Sequence, residues 1–98
     1  MRINQDKIQK IRHYFEDKPV LKAYIFGSVA KNEESDESDI DILVDLDYSH
    51  KIGLVFVQMK LDLENLLQKK VDLVSSNGLS PFIRKYIENE KKIIYERT

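Results

Sequence analysis

The segment from Asp39 to Asp47 is the feature that most constrains how this chain can fold. Its alternate positions differ in character, because one set is aliphatic and the other is mostly acidic. The aliphatic set is Ile40, Ile42, Val44 and Leu46, and the other set is Asp39, Asp41, Leu43, Asp45 and Asp47. Successive side chains of a strand point to opposite faces of a sheet, so the pattern predicts a strand with one face buried in a core.

The hydrophobic patterns elsewhere predict a sheet covered by helices. Apolar residues at helical spacing, or in short β-branched and aromatic runs, divide the chain into elements. The predicted order is a helix that Asn4 caps and Pro19 ends, strands at 20–26 and 40–46, a helix at 53–69, a strand at 71–75, a helix from Ser80 and an extended segment at 93–95. We therefore predict the α+β class, with a small mixed β-sheet covered by helices in one domain over residues 1–98.

Composition limits the class of protein to which the chain can belong. Hydrophobic residues make up 42% and charged residues 34%, which is the balance of a soluble globular domain. No apolar run reaches the roughly 20 residues of a membrane span, and the N-terminus lacks the apolar stretch of a secretory signal. The absence of cysteine excludes disulfides and thiolate zinc sites and fits a cytoplasmic protein. With a net charge of -1, we expect no membrane contact and no strong binding of duplex nucleic acid.

The acidic face of the central strand indicates a cation. Aspartate is a poor strand former, and like charges along one face repel each other. Same-face neighbours are about 6.6 Å apart along a strand, so Asp39 and Asp41 can converge on one Mg²⁺ or on a pair of ions about 3.5–4 Å apart. Asp45 lies about 13 Å beyond Asp41, and we expect Asp45 and Asp47 to be solvated at the strand end. If Asp39-Ile40-Asp41 is considered alone, the alternative is that both aspartates lie on the solvent-facing side of an exposed strand.

Gly27 and Ser28 follow the first predicted strand and offer donors to a phosphate. Gly27 has no side chain, so a ligand can approach the backbone closely. Ser28 supplies a hydroxyl and an N–H, both of which can donate to an anion. Because Mg²⁺ is commonly held by one or two carboxylates together with substrate phosphates, these donors and the aspartates would complement each other.

The stretch Gly27-Ser28-Val29-Ala30-Lys31, followed by Ser38-Asp39-Ile40-Asp41-Ile42-Leu43-Val44, resembles the minimal nucleotidyltransferases (MNT) of the DNA polymerase β superfamily. The resemblance implies a polymerase β-like nucleotidyltransferase fold and a third carboxylate on the following strand, where Asp72 stands. It also implies that Asp39 and Asp41 hold two magnesium ions carrying ATP. Asp72 would then share a metal and help to deprotonate the attacking hydroxyl, although an aspartate that simply faces water is the alternative.

The same resemblance implies which residues bind the phosphates, and it shows one place where this chain departs from the family's sequence pattern. It implies that Gly27 and Ser28 contact the β- and γ-phosphates, with Lys31 as a nearby positive charge. Family members often have Arg-Gly where this chain has Lys31-Asn32. Lysine lacks the bidentate fork of arginine, so we expect weakened rather than abolished triphosphate binding.

The function that the resemblance implies is transfer of AMP from ATP to a hydroxyl, with release of pyrophosphate. Minimal nucleotidyltransferases are typically paired with HEPN-domain proteins as antitoxins of prokaryotic toxin–antitoxin modules, and some AMPylate a tyrosine of the HEPN ribonuclease. The main alternative is an antitoxin that neutralises its partner by binding alone. A third is the nucleotidyl-transferring half of an antibiotic-modifying enzyme. Because so small a domain has only a shallow cleft, we expect another chain to complete the acceptor side, in a homo- or hetero-oligomer.

Overall fold

The computed structural model describes residues 5–26 and 39–97, and in these ranges three α-helices accompany one four-stranded sheet. The elements are α1 (Gln5–Phe15), β1 (Val20–Phe26), β2 (Ile40–Leu46), α2 (Gly53–Leu67), β3 (Val71–Ser75), a 3-10 turn (Ser76–Gly78), α3 (Pro81–Glu90) and β4 (Lys92–Glu96). The predicted order is confirmed, whereas Asn4, the predicted cap of the first helix, lies outside the described residues. The extended segment predicted at 93–95 is a full strand, and α1 ends at Phe15 rather than at Pro19.

The sheet is mixed, as predicted, and its strand order is β3-β2-β1-β4. Strand β1 runs antiparallel to both β2 and β4, whereas β2 and β3 are parallel. It follows that β3 and β4 point the same way at opposite edges of the sheet. The connection between them, which contains α3, must therefore return from the end of β3 to the beginning of β4, and it crosses β2 and β1 on the way.

The larger core lies on one face of the sheet. The aliphatic side of β2 is buried there against Ile11 and Phe15 of α1 and against Met59 and Leu63 of α2. All four of these side chains are completely buried. Burial of each such side chain contributes about 1.5–3 kcal/mol, so this face supplies most of the hydrophobic stabilisation.

The smaller core lies on the opposite face, where α3 is the only helix among the described residues. Its buried members are Tyr24 of β1, Leu43 of β2 and Ile87 of α3. Partly buried side chains of Phe26, Val74 and Leu79 pack around them. The alternation of β2 thus sends its aliphatic side to the larger core and leaves Leu43 and the aspartates on the face that α3 crosses.

Helix α3 begins where the sequence predicts. Ser80 is its N-cap, and the Ser80 Oγ accepts a hydrogen bond of 3.3 Å from the backbone N–H of Ile83. Pro81 occupies the first turn, where its missing N–H costs nothing. The cap fixes the start of the helix just beyond the 3-10 turn and so determines where α3 enters the sheet face.

Asp47 is not simply solvated at the end of β2, contrary to the expectation from the sequence. Its Oδ1 accepts a hydrogen bond of 2.6 Å from the Ser49 hydroxyl, and its Oδ2 accepts one of 2.7 Å from Arg97 Nη1. The hydrogen bonds from Ser49, and after them the one from Arg97, hold the Asp47 pKa far below its ordinary value. Asp45 is half-buried, with a long contact of 3.5 Å to the Tyr24 hydroxyl. Both residues contribute to the end of the sheet that is remote from Asp41.

Candidate active site

The pairing of β2 with β3 brings together two aspartates that are 31 positions apart in sequence. Asp41 and Asp72 are Cα partners in the parallel ladder. Paired residues project from the same face of a sheet, and the next pair on that face is Leu43 with Val74, which belongs to the smaller core. Both carboxylates therefore lie on the face that α3 crosses, at the ends where β2 and β3 begin.

Asp39 completes this group from just outside the strand. It is exposed, and it precedes the first residue of β2. Asp72 is also exposed, whereas Asp41 is half-buried. We refer to Asp39, Asp41 and Asp72 as the carboxylate corner.

The electrostatics of the carboxylate corner are those of crowded negative charge. The Asp41 pKa is raised to about 6, first by burial of the carboxyl group and then by the charges of Asp72 and Asp39. Both of these charges are negative, so they disfavour ionisation of Asp41. Asp72 is exposed, as expected for an aspartate that simply faces water. Its charge nevertheless contributes to the raised pKa of Asp41.

The carboxylate corner fits a divalent cation, which would offset this repulsion. Its three side chains offer only carboxylate oxygens, the ligand type that Mg²⁺ prefers. Within residues 5–26 and 39–97, no group of three acidic or histidine side chains is arranged to hold a metal ion. Mg²⁺ does not require one, because it usually keeps several waters and combines one or two carboxylates with substrate phosphates. The corner therefore suits magnesium that arrives with a phosphorylated substrate.

The predicted phosphate contacts Gly27, Ser28 and Lys31 lie outside the described residues, and their roles stay predictions. Phe26, the last residue of β1, is the Cα partner of Asp41. Gly27 follows Phe26 directly in the sequence. The strand pairing therefore places Phe26, which directly precedes Gly27 in the sequence, beside Asp41.

A cavity of about 520 Å³ at the other end of the sheet does not compete with this corner. Two of the charged residues that line it already have partners within the protein. Arg97 pairs with Asp47 at 2.7 Å, and Lys18 pairs with Asp17 at 3.0 Å. His50, which also lines this cavity, is exposed, as is His13.

Sequence reasoning missed a polar cavity of about 160 Å³ under α3. Asp45 lines its sheet side, and Lys91 lines its helix side. The Lys91 ammonium lies 4.2 Å from the centroid of the Tyr24 ring, a cation–π contact. These residues are far apart in sequence, so only knowledge of where α3 crosses the sheet could have grouped them. Among the helices described here, none is both long and apolar enough to cross a bilayer.

A protein-family model and a named relative both match most of this chain. Residues 9–98 match the family model described as polymerase beta, nucleotidyltransferase. A relative from Methanocaldococcus jannaschii, named as a protein adenylyltransferase, is 40% identical over 90 residues, which cover 92% of this chain and 95% of that protein.

Comparison with solved structures supports the fold. A protein described as a minimal nucleotidyltransferase superposes with a TM-score of 0.79 at 31% identity, over 90% of this chain and 89% of its own. An MNT antitoxin in complex with a tri-AMPylated HEPN toxin from Shewanella oneidensis gives a match with a TM-score of 0.65 at 23% identity, over 93% of this chain and 68% of the matched chain. The three helices and mixed sheet of the described residues thus have the polymerase β-like nucleotidyltransferase fold, as predicted.

Proposed function

This chain belongs to the polymerase β nucleotidyltransferase family, and from that premise we propose that it transfers AMP from ATP to a hydroxyl group of a partner protein, with Mg²⁺ as cofactor. The observation that carries the proposal is the parallel pairing of Asp41 with Asp72, with Asp39 two residues before Asp41. Three carboxylates lie at one sheet corner, where burial first and then the charges of Asp72 and Asp39 raise the Asp41 pKa, and the family chemistry needs such a group of carboxylates.

Each carboxylate has a distinct task in this proposal. Asp39 and Asp41 would hold two magnesium ions together with the triphosphate. Asp72 is a further ligand, and its exposed carboxylate accepts the proton of the attacking hydroxyl. Bound magnesium would supply positive charge to the attacking and leaving oxygens. Gly27, Ser28 and Lys31 bind the β- and γ-phosphates.

The proposed acceptor is a tyrosine of a HEPN-domain toxin, and the chain acts as its antitoxin in the cytoplasm. Two comparisons support this. The relative from Methanocaldococcus jannaschii is named as a protein adenylyltransferase. The matched structure from Shewanella oneidensis is an MNT antitoxin in complex with an AMPylated HEPN toxin. An acceptor supplied by another chain also suits a corner where Asp39 and Asp72 are open to solvent.

Label transfer from ATP tests the proposal. The protein is incubated with α-labelled ATP, MgCl₂ and a HEPN-domain protein from the same organism, and labelled protein is measured. An Asp39→Asn/Asp41→Asn variant should lose at least about 100-fold in rate, because both substitutions remove metal-binding charge. Asp45→Asn is the matched control, since Asp45 lies on the same face of the same strand but outside the corner.

The outcomes separate the two main interpretations. Loss of label in the double variant alone, with the transferred group on a tyrosine, would support the enzyme. Equal label in the wild type and the double variant would refute it. Protection from the toxin by both proteins, with no label in either, would favour an antitoxin that acts by binding alone.

A further inference from the structure

The two flanks of α3 differ in chemistry. One flank is polar and lines the cavity of about 160 Å³ together with Asp45. On this flank, Arg84 Nη2 donates a hydrogen bond of 2.8 Å to the carbonyl oxygen of Ser76, and Lys91 Nζ donates one of 3.0 Å to Glu88 Oε1. The polar flank is therefore already satisfied within the protein.

The other flank is apolar and exposed. Phe82 is 91% exposed, Tyr86 54% and Ile83 52%. At about 100° per residue, these three positions span about 100° of the helix surface, and Arg84 and Glu88 lie on the other side of the axis. The flank borders an open groove of about 850 Å³, lined by Pro81, Phe82, Ile83, Lys85, Tyr86 and Asn89.

The path of α3 determines which end of the sheet the apolar flank faces. The helix begins near the end of β3 and ends where β4 starts, so it crosses the sheet face obliquely. Its polar flank faces Asp45, at the far end of β2. The opposite flank, with Phe82 and Tyr86, must then face the beginning of β2 and β3, where Asp41 and Asp72 pair.

The smaller core does not need these side chains. Ile87 is the α3 residue that is buried against Tyr24 and Leu43. Phe82 is almost fully exposed, so it contributes much less to the stability of the fold than the buried Ile87 does. A large aromatic side chain that is left in water among other exposed apolar side chains is typical of a binding surface.

We propose that the apolar flank of α3 is the docking surface for the acceptor protein, which presents its hydroxyl to the carboxylate corner. This inference rests on the proposed function and names the surface that the proposed acceptor uses. Lys85 is the charged residue among those that line the groove, so the matching surface is apolar with an acidic side chain at its rim. The docked protein covers Phe82, Ile83 and Tyr86 and brings one hydroxyl over Asp72.

Other occupants fit the arrangement less well. A nucleobase would use one aromatic face but is too small to cover Phe82, Ile83 and Tyr86 together. A second copy of this chain, docked through the same flank in both molecules, would obstruct the approach to both carboxylate corners. The acceptor protein both fills the groove and needs this approach.

Binding measurements test the docking surface without catalysis. The affinity for the HEPN-domain protein is measured by calorimetry in the Asp39→Asn/Asp41→Asn background, without ATP. Phe82→Ser and Lys85→Glu should each weaken binding at least about 10-fold, as expected for a central apolar contact and a charge reversal. The matched control is Leu54→Ser on α2, because Leu54 is 85% exposed but lies on a helix that packs on the other face. It should change the affinity less than about twofold.

Steady-state label transfer in the otherwise wild-type chain provides the second measurement. Phe82→Ser should raise KM for the acceptor protein about 10-fold, with kcat and the KM for ATP unchanged. A rise in the KM for ATP alone would overturn the proposal in favour of a nucleobase contact. Loss of self-association with unchanged acceptor binding would overturn it in favour of a second copy.

The two proposals can fail separately. If Phe82→Ser behaves like Leu54→Ser in both assays while the wild type transfers label, the docking surface is wrong and the enzyme stands. If no label is transferred but Phe82→Ser still weakens binding, the docking surface stands and the transfer reaction falls. If the wild type does not bind the HEPN-domain protein, the docking proposal is wrong.

Discussion

Asp41 combines partial burial with two acidic neighbours, a combination that a protein maintains only at some cost in stability. Burial and the charges of Asp72 and Asp39 raise its pKa to about 6. The same crowding that destabilises the ionised corner makes it attractive to a cation. Under the proposed function, function and stability therefore oppose each other at this residue, as they often do at active sites.

The raised Asp41 pKa predicts a loss of stability as pH rises. An unfolded aspartate has a pKa of about 3.9, so between that value and about 6 the folded state holds the proton more tightly. This contribution is complete below about pH 4 and is lost as pH rises through about 6. In metal-free buffer we expect the wild type to lose about 1–2 kcal/mol relative to Asp41→Asn across this range, after allowance for solvent screening.

Urea unfolding of both proteins at pH 4 and pH 7 measures this difference. Asp6→Asn on α1 is the control, since Asp6 is an exposed aspartate outside the corner. A pH dependence of Asp41→Asn identical to that of the wild type would contradict the prediction.

Asp47 has the opposite dependence. Hydrogen bonds from Ser49 and Arg97 lower its pKa, so the folded state favours the ionised carboxylate. Its contribution is present above the unfolded pKa and is lost as pH falls through the lower pKa of the folded state. Asp47→Asn should therefore reduce the loss of Tm between pH 6 and pH 2, measured by circular dichroism. A wild-type and a variant Tm that fall in parallel would rule out this role.

The packing of helix α3 on the sheet depends mainly on one buried side chain, Ile87. Ile87 is 2% exposed and is the α3 member of the smaller core. Ile87→Ala should lower the free energy of unfolding by about 2–4 kcal/mol, because it removes a buried contact and leaves a cavity. Ile83→Ala, on the same helix but 52% exposed, should cost less than about 1 kcal/mol. Denaturant titration of both variants checks the contrast, and equal losses would contradict it.

The elements were largely predictable because their signals are local. Alternation over residues 40–46 correctly predicted a strand with one aliphatic side, and Ser80 with Pro81 correctly predicted the start of α3. The resemblance pointed to Asp72, but its pairing with Asp41 depends on strand order. The path of α3 and the partners of Asp47 also depend on contacts between distant segments, and Arg97 lies 50 positions from Asp47. Local patterns carry no such information.

Binding of the proposed ligands should raise the stability of the whole folded protein. A non-hydrolysable ATP analogue with MgCl₂ binds the folded state alone, so at about 100 times its Kd it should add about 2.7 kcal/mol of stability. For a chain of this length, that corresponds to a rise in Tm of roughly 10 °C or more. Thermal denaturation checks the rise, and EDTA should remove it. An equal rise in the Asp39→Asn/Asp41→Asn variant would show that the analogue binds elsewhere.

The two cores on opposite faces of the sheet have a consequence for how such a protein can change over generations. The strand that carries Asp41 is flanked by β1 and β3 and rests on the larger core, whereas α3 rests on the smaller one through Ile87. Substitutions at Phe82, Ile83 or Lys85 therefore leave the inward side of the helix and the reactive carboxylates intact. A lineage could therefore alter the surface that we propose for the acceptor protein while it keeps the three carboxylates unchanged.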